Sequence, residues 1–282
     1  MDTRMYVITH KKAIIPDIDM YSSMLVGAST HKVEGQFDEM DNLGENISEK
    51  NQNYCELTGI YWIWKNSRVE NVGICHYRRF FSHRFILGNK KYYLRGKEIE
   101  SLLNRYSVII PKPRCYKKTM LLSINYAPNM EDVKEMYQAV KSCSPDYIED
   151  FIWYFNQNKS YLYNMCIMRK PDFDAYCEWL FPILSLVEEM HDMEKETDPY
   201  RKRLFGFLSE RLIFVWLHHN VADKEIREMP VINTDESDLT RVRRFIGNLT
   251  RQISYIITKN SKSNKRLQKD ALNYVMNNTY IS

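Results

Sequence analysis

Residues 72–81 read Val-Gly-Ile-Cys-His-Tyr-Arg-Arg-Phe-Phe: an apolar run that breaks off into a histidine, a tyrosine and two adjacent arginines. The run has the composition of a buried strand, and His76, Tyr77, Arg78 and Arg79 fall at its carboxyl end. Open α/β sheets bind ligands in the crevice beyond the carboxyl ends of their strands. A guanidinium is a planar fork of donors that matches the oxygens of a phosphate. The motif therefore points to a phosphate-bearing ligand, against the plainer alternative of surface ion pairs. Two further basic segments fall at comparable places. His10 and Lys11 follow the strand-like Met5–Thr9, and Lys50 and Asn51 open a helix whose first turn carries partial positive charge. A diphosphate held by cations accounts for all three.

One carboxylate stands apart. Glu210 lies beside Arg211 in the apolar helical run Phe207–Leu212. A partly buried carboxylate with a cation partner suits a general base, and a structural Glu–Arg contact explains it equally well. Two Asp-x-Asp triplets, Asp17/Asp19 and Asp172/Asp174, have the composition that holds Mg²⁺ or Mn²⁺ against a diphosphate. The second sits where a helix dipole explains it and the first is short enough to arise by chance, so no residue is assigned to a metal. No cofactor is called for, with Mn²⁺ or Mg²⁺ left open. The sequence has no GxGxxG, P-loop, GxSxG or HExxH pattern, which removes dinucleotide, P-loop NTPase, hydrolase-elbow and zincin readings.

The elements that must position these groups alternate in type. Strands are expected at 5–9, 24–28, 72–76, 107–110 and 163–168, with a short edge strand at 229–232. Helices are expected from an Asn46/Glu49 capping box through Tyr54, Leu57, Tyr61 and Trp64, and over 96–106. More follow from Asn129, from Ser144-Pro145, from Pro171 to Met190 and over 204–218. This pattern predicts an α/β fold with a mainly parallel central sheet flanked by helices. Residues 1–237 are expected to form one domain and 238–282 a basic helical tail. Val242, Phe245, Ile246, Leu249, Ile253, Ile256 and Ile257 share one helical face among arginines and lysines. Such a helix either lies in an anionic membrane interface or packs its apolar face on the body of the protein.

With 282 residues, 44% hydrophobic and 27% charged, the chain has the bulk of an ordinary globular protein, and its net charge of +4 gives no case for nucleic-acid binding. Six scattered cysteines form no CxxC pair and read as reduced thiols. No apolar run reaches the ~20 residues of a membrane span, and the N-terminus has no signal-peptide pattern. A cytoplasmic location is expected, with the tail at the inner membrane surface.

Taken together, Asn46–Asn51, Tyr54–Thr58, Tyr61–Asn66 and Gly73–Arg79 resemble the first half of a bacterial glycosyltransferase family of capsule, exopolysaccharide and O-antigen synthesis that includes galactofuranosyltransferases. Asn164-Met165, Tyr176–Leu180 and the stretch from Gly206 to Leu217 resemble its second half. The resemblance spans roughly residues 4 to 232 and implies a GT-A-like fold, a UDP-sugar donor and a glycan or lipid-linked acceptor. It places Glu210 as the catalytic carboxylate. His10, Lys11, Lys50, Asn51, His76, Tyr77, Arg78 and Arg79 fall on the donor side, and Asn164 and Arg211 on the acceptor side. Family members often carry histidines near the positions of Pro128, Asn129 and Tyr161. Their absence here supplies the alternative, a catalytically idle nucleotide-sugar-binding or scaffold subunit of a polysaccharide assembly complex.

Overall fold

The structure is a computed structural model that describes residues 2–84 and 92–277. Its centre is a twisted mixed sheet in the order β10-β6-β9-β4-β1-β2-β3. The strands are β1 (Thr3–Thr9), β2 (Tyr21–Leu25), β3 (Glu39–Met40), β4 (Asn71–His76), β6 (Val108–Pro111), β9 (Ile167–Arg169) and β10 (Ile226–Met229). Neighbours run parallel except β9, which is antiparallel to both β4 and β6. The mainly parallel α/β class expected from the alternation is what forms.

Side-chain alternation sorts the core into two layers. Tyr6, Ile8, Val72 and Ile74 face a helical layer, while Met5, Val7 and Cys75 face the other side of the sheet. The helical layer holds α1 (Asn51–Tyr54), α2 (Leu57–Asn66), α4 (Met130–Cys143), α5 (Ile148–Asn156), α6 (Lys170–Met190) and α7 (Leu204–Asn220). The opposite side is covered by α3 (Gly96–Leu103) and by β5 (Arg79–Phe81), which pairs with β11 (Val231–Asn233). Gly73 is dictated by this packing, since a Cβ there would lie 2.0 Å from Met5 Sδ on the neighbouring strand.

Several expected elements differ in detail. The second strand ends at Leu25, because Gly27 turns the chain with φ of +69°. The Asn46/Glu49 box does not form: Asn46 Oδ1 accepts from Ser48 N, and the short 3-10 turn there has no side-chain cap. The helix expected through Tyr54 and Trp64 is broken at Cys55, whose φ is +52°. The strand expected at 163–168 is only Ile167–Arg169, since Tyr163 and Asn164 form a left-handed turn. Pro230, which lacks an N–H, separates β10 and β11 where one edge strand was expected.

A buried carboxylate just after β3 ties the loop beyond β2 to the turn before α1 and to α2. Asp41 accepts from Gly27 N and Ala28 N (2.8 and 3.0 Å), from Ser48 Oγ (2.5 Å) and from Thr58 Oγ1 (2.6 Å). Beyond residue 237 the chain continues as α8 (Asp238–Thr258) and α9 (Lys262–Met276). α8 meets the body through Asn248 and Arg251 on β7 (Arg114–Cys115). α9 rests on α4, where Val275 is buried. No helix among the described residues is long and apolar enough to cross a membrane.

Asp41→Ala is expected to strand two backbone N–H groups and two hydroxyls, lowering stability by about 2–4 kcal/mol. Urea denaturation checks this, and an unchanged midpoint contradicts the role given to Asp41.

Candidate active site

The motif at 76–79 folds into a tight hairpin. β4 ends at His76, Tyr77 and Arg78 form the two-residue turn, and Arg79 opens β5 directly opposite His76. Residues paired across a hairpin share a face, so the His76 and Arg79 side chains are neighbours. The Arg79 guanidinium lies 4.3 Å from the Tyr163 ring centroid, and its Nε is buried without a hydrogen-bond partner.

Tyr163 joins these groups to the helical layer. Its φ of +79° is unusual for a bulky residue, and its backbone is engaged at both ends. Tyr163 N–H donates to Glu210 Oε1 at 2.6 Å, and His76 Nε2 donates to the Tyr163 carbonyl at 2.5 Å. Burial, and then the charges of Arg79 and Arg203, push the His76 pKa down against the upward pull of Glu56 and of the bond to Tyr163. The ring is thereby kept neutral with its proton on Nε2. Asn164, also left-handed, donates to Glu56 Oε1 (2.8 Å) and to the Gly206 carbonyl (3.0 Å), and accepts from Ser209 Oγ (2.9 Å). Cys55, left-handed too, sets Glu56 at the start of α2. The described non-glycine residues with positive φ are these three, and all are at one site. Such conformations cost on the order of 1–3 kcal/mol each and persist where the surroundings impose them.

Glu210 sits in the first half of α7 with 14% of its side chain exposed. Burial raises its pKa to about 7 and Glu56 adds to the rise, while Arg211, the Tyr163 N–H and Arg79 oppose it. Arg211 Nη1 is 3.2 Å from Glu210 Oε2 and donates to the Phe207 carbonyl at 2.7 Å; its Nε is buried and unpartnered. On the far side, Arg211 borders a cavity of about 150 Å³ lined also by Tyr116, Tyr126, Pro128 and Tyr200. Tyr126 and Tyr200 stack there, and Tyr200 continues onto Phe207.

The other flank is cationic. The Tyr77 ring gathers His10 edge-on (5.5 Å between centroids), Lys11 (5.3 Å) and Arg78 (4.8 Å). Burial lowers the His10 pKa, and Lys11, Arg78, His31 and Arg203 lower it further. Arg203 acts on both His10 and His76, so the positive field is continuous from the β1 loop to the hairpin.

A family model described as a domain of unknown function, DUF4422, matches residues 4–221. The chain belongs to that family. The apo structure of WbbM, a bifunctional glycosyltransferase, superposes with a TM-score of 0.74 at 25% identity, over 84% of this chain and 46% of that one. The chain thus spans about half the length of that enzyme. Among curated proteins none matches the sequence.

In this DUF4422 domain the site collects His76, Arg79, Asn164, Glu210 and Arg211, with His10, Lys11, Tyr77 and Arg78 at its cationic edge. Arg78 is also bound to Asp235 at 2.7 Å, with both side chains about half exposed. Two expected donor residues are engaged elsewhere. The Lys50 ammonium is held by Glu188 at 2.7 Å, because the turn before α1 packs against the end of α6. Asn51 donates to the Cys55 carbonyl and Thr58 Oγ1 and packs on Gly27. The sequence reading missed Glu56, Tyr163 and Arg203. Glu56 lies within the motif Tyr54–Thr58 and Arg203 shortly before the one that begins at Gly206, but the left-handed backbone at Cys55 and Tyr163 has no signal in residues that are not glycine.

Neither Asp-x-Asp triplet reaches this site. Tyr21, which follows the first, pairs with Met5 near the start of β1, and Arg169, which precedes the second, pairs with Asn71 at the start of β4. Both therefore lie at the opposite end of the sheet. Asp132, Glu135 and His191 come close enough together to share an ion. That group is already neutralised by Arg201, which contacts Asp132 at 3.2 Å, and the Glu135 hydrogen bond raises the His191 pKa towards the protonated form.

The Glu210 pKa has a consequence for stability. The folded value of about 7 lies above the 4.5 of a free side chain. The folded state therefore binds the proton more tightly, and stability is lost as pH rises from 4.5 through 7. Glu210→Gln is expected to unfold at higher denaturant than the parent at pH 8, by up to about 3 kcal/mol. The gap should close at pH 5, and a gap of the same size at both pH values contradicts the shift.

Proposed function

We propose that this chain is a glycosyltransferase that moves a hexosyl group, galactofuranose or another, from a UDP-sugar to a glycan or lipid-linked acceptor in surface-polysaccharide synthesis. The observation that carries the reading is a buried carboxylate of pKa about 7 on one side of the hairpin and a cluster of cations at the carboxyl ends of β1 and β4 on the other. The likeness to WbbM and the family resemblance of the motifs support it, as does the mainly parallel sheet flanked by helices.

Sugar transfer from a nucleoside diphosphate breaks the bond between the anomeric carbon and the β-phosphate oxygen. Negative charge gathers on the departing diphosphate, and preorganised cations stabilise it. Arg79, with its Nε unmatched, and Arg203, Lys11 and Arg78 supply them here. The charge stabilisation is assigned to these side chains, and no step is routed through Mn²⁺ or Mg²⁺. On the other flank the acceptor hydroxyl attacks the anomeric carbon and must lose its proton. Glu210 takes it, since a base works best when its pKa lies near the working pH. Tyr163 N–H holds one carboxylate oxygen, and Arg211, which borders the cavity, holds the other. The stacked rings of Tyr126 and Tyr200 give that cavity a flat wall for a sugar.

Two variants divide the roles. Glu210→Gln is expected to lower turnover of UDP-hexose with acceptor by about 10²–10⁴-fold while leaving the UDP-induced rise in melting temperature intact. Arg79→Ala is expected to abolish that rise. UDP binding without transfer or donor hydrolysis for any UDP-hexose favours the idle binding subunit, and no UDP binding by the parent protein overturns both readings.

The pH profile separates general-base chemistry from mere charge. The rate should climb with pH through about 7, as the Glu210 carboxylate loses its proton. Steady-state rates from pH 5 to 9 check this, and a flat profile contradicts it.

A further inference from the structure

The C-terminal helix pair packs the wrong way round for an ordinary surface helix. An amphipathic helix normally buries its apolar stripe and shows its polar face to water. On α8 the polar residues make the contacts with the body. Asn248 bonds Cys115 N and the Pro113 carbonyl, Arg251 bonds the Cys115 carbonyl, and Gln252 accepts from Asn158 Nδ2. Arg241 is the residue of α8 that is buried. Leu239, Ile246, Leu249, Ile253, Ile256 and Ile257 recur at helical spacing, and each is 49–75% exposed. They form a continuous apolar strip along a helix of 21 residues, about 30 Å long.

The charge around that strip indicates what covers it. Residues 238–276 carry nine lysines and arginines against two aspartates, while the whole chain has a net charge of only +4. Arg243 and Lys259 on α8, and Lys262, Lys265, Arg266 and Lys269 on α9, are all exposed. A cleft of about 560 Å³ between the two helices has Lys118, Lys259, Lys265 and Lys269 in its wall. A second copy of this chain would bring the same excess of basic residues on its own helix pair and be repelled. An anionic bilayer offers both complements, acyl chains for the isoleucines and phosphates for the lysines.

We propose that α8 and α9 form a membrane-docking surface, with the apolar strip of α8 entering the headgroup boundary of an anionic bilayer while its polar face holds the body of the protein. The inference stands apart from the proposed chemistry, since it needs no donor or acceptor.

Co-sedimentation of the full chain with vesicles tests it without reading activity. The chain is expected to sediment with phosphatidylethanolamine/phosphatidylglycerol vesicles and to stay in solution with phosphatidylcholine alone. The double variant Ile253→Asn/Ile257→Asn is expected to lose at least about tenfold in vesicle affinity. A second variant, with Lys262, Lys265, Arg266 and Lys269 each changed to Gln, should bind weakly and show little of the parent's sensitivity to salt. It lies on an exposed face and keeps the test open if the first variant folds poorly. No binding to the anionic vesicles overturns the proposal, as does undiminished binding by the lysine variant. So does a dimer in solution that the isoleucine variant dissolves while the parent ignores vesicles, which would give the face to a second copy.

Discussion

The site depends on one backbone turn. Tyr163 and Asn164 take left-handed conformations that their side chains disfavour, and the turn presents an N–H to Glu210 and a carbonyl to His76. A turn with ordinary dihedrals would aim these groups elsewhere. Asn164 locks the turn from the other side through Glu56, Gly206 and Ser209. Strain of this kind, gathered in one place, is a mark of preorganisation, because a site that must not rearrange during reaction is held by more contacts than stability alone requires.

The electrostatics follow from that geometry. Glu210 is held among apolar neighbours and near a second carboxylate, so its charged form is disfavoured. Arg211 and Arg79 return part of the lost stabilisation, and the pKa settles at about 7. His76 responds in the opposite sense. Burial and adjacent guanidiniums drive it neutral, and it serves as a fixed donor to Tyr163. The cations at the strand ends cost nothing comparable, since Lys11 and Arg78 rest on the Tyr77 ring at the protein surface. A buried base and a partly exposed cationic shelf are therefore separated by the hairpin that carries His76 and Arg79.

Much of the sheet was legible in the sequence, because each strand is a short apolar run and each crossover helix has its own period. The hairpin motif was legible for the same reason: a strand that stops in His-Tyr-Arg-Arg exposes its chemistry at a predictable edge. The two arginines were not distinguishable from sequence. Only pairing across the turn shows that Arg79 shares a face with His76 while Arg78 reaches Asp235. Lys50 and Asn51 were read as donors to a ligand because they begin a helix, yet Glu188 and the residues of the same turn take up those groups. Glu56 and Tyr163 could not be singled out, since the positive φ at Cys55 and Tyr163 depends on tertiary contacts and neither of those residue types favours it. The apolar stripe at 242–257 was visible, but its direction was not, because the groups that the polar face of the helix meets, at Cys115 and Asn158, are over 90 residues away in the chain.

Burial poises Glu210 near neutrality, against the opposing pull of Arg211 and the Tyr163 N–H. Carbon-13 NMR of glutamate carboxyls reads this directly when the protein is titrated and the Glu210→Gln variant identifies the resonance. The account expects one carboxyl to titrate with a midpoint near 7, as the value of about 7 requires. A Glu210 resonance that titrates near 4.5, the value for an unperturbed side chain, would contradict it.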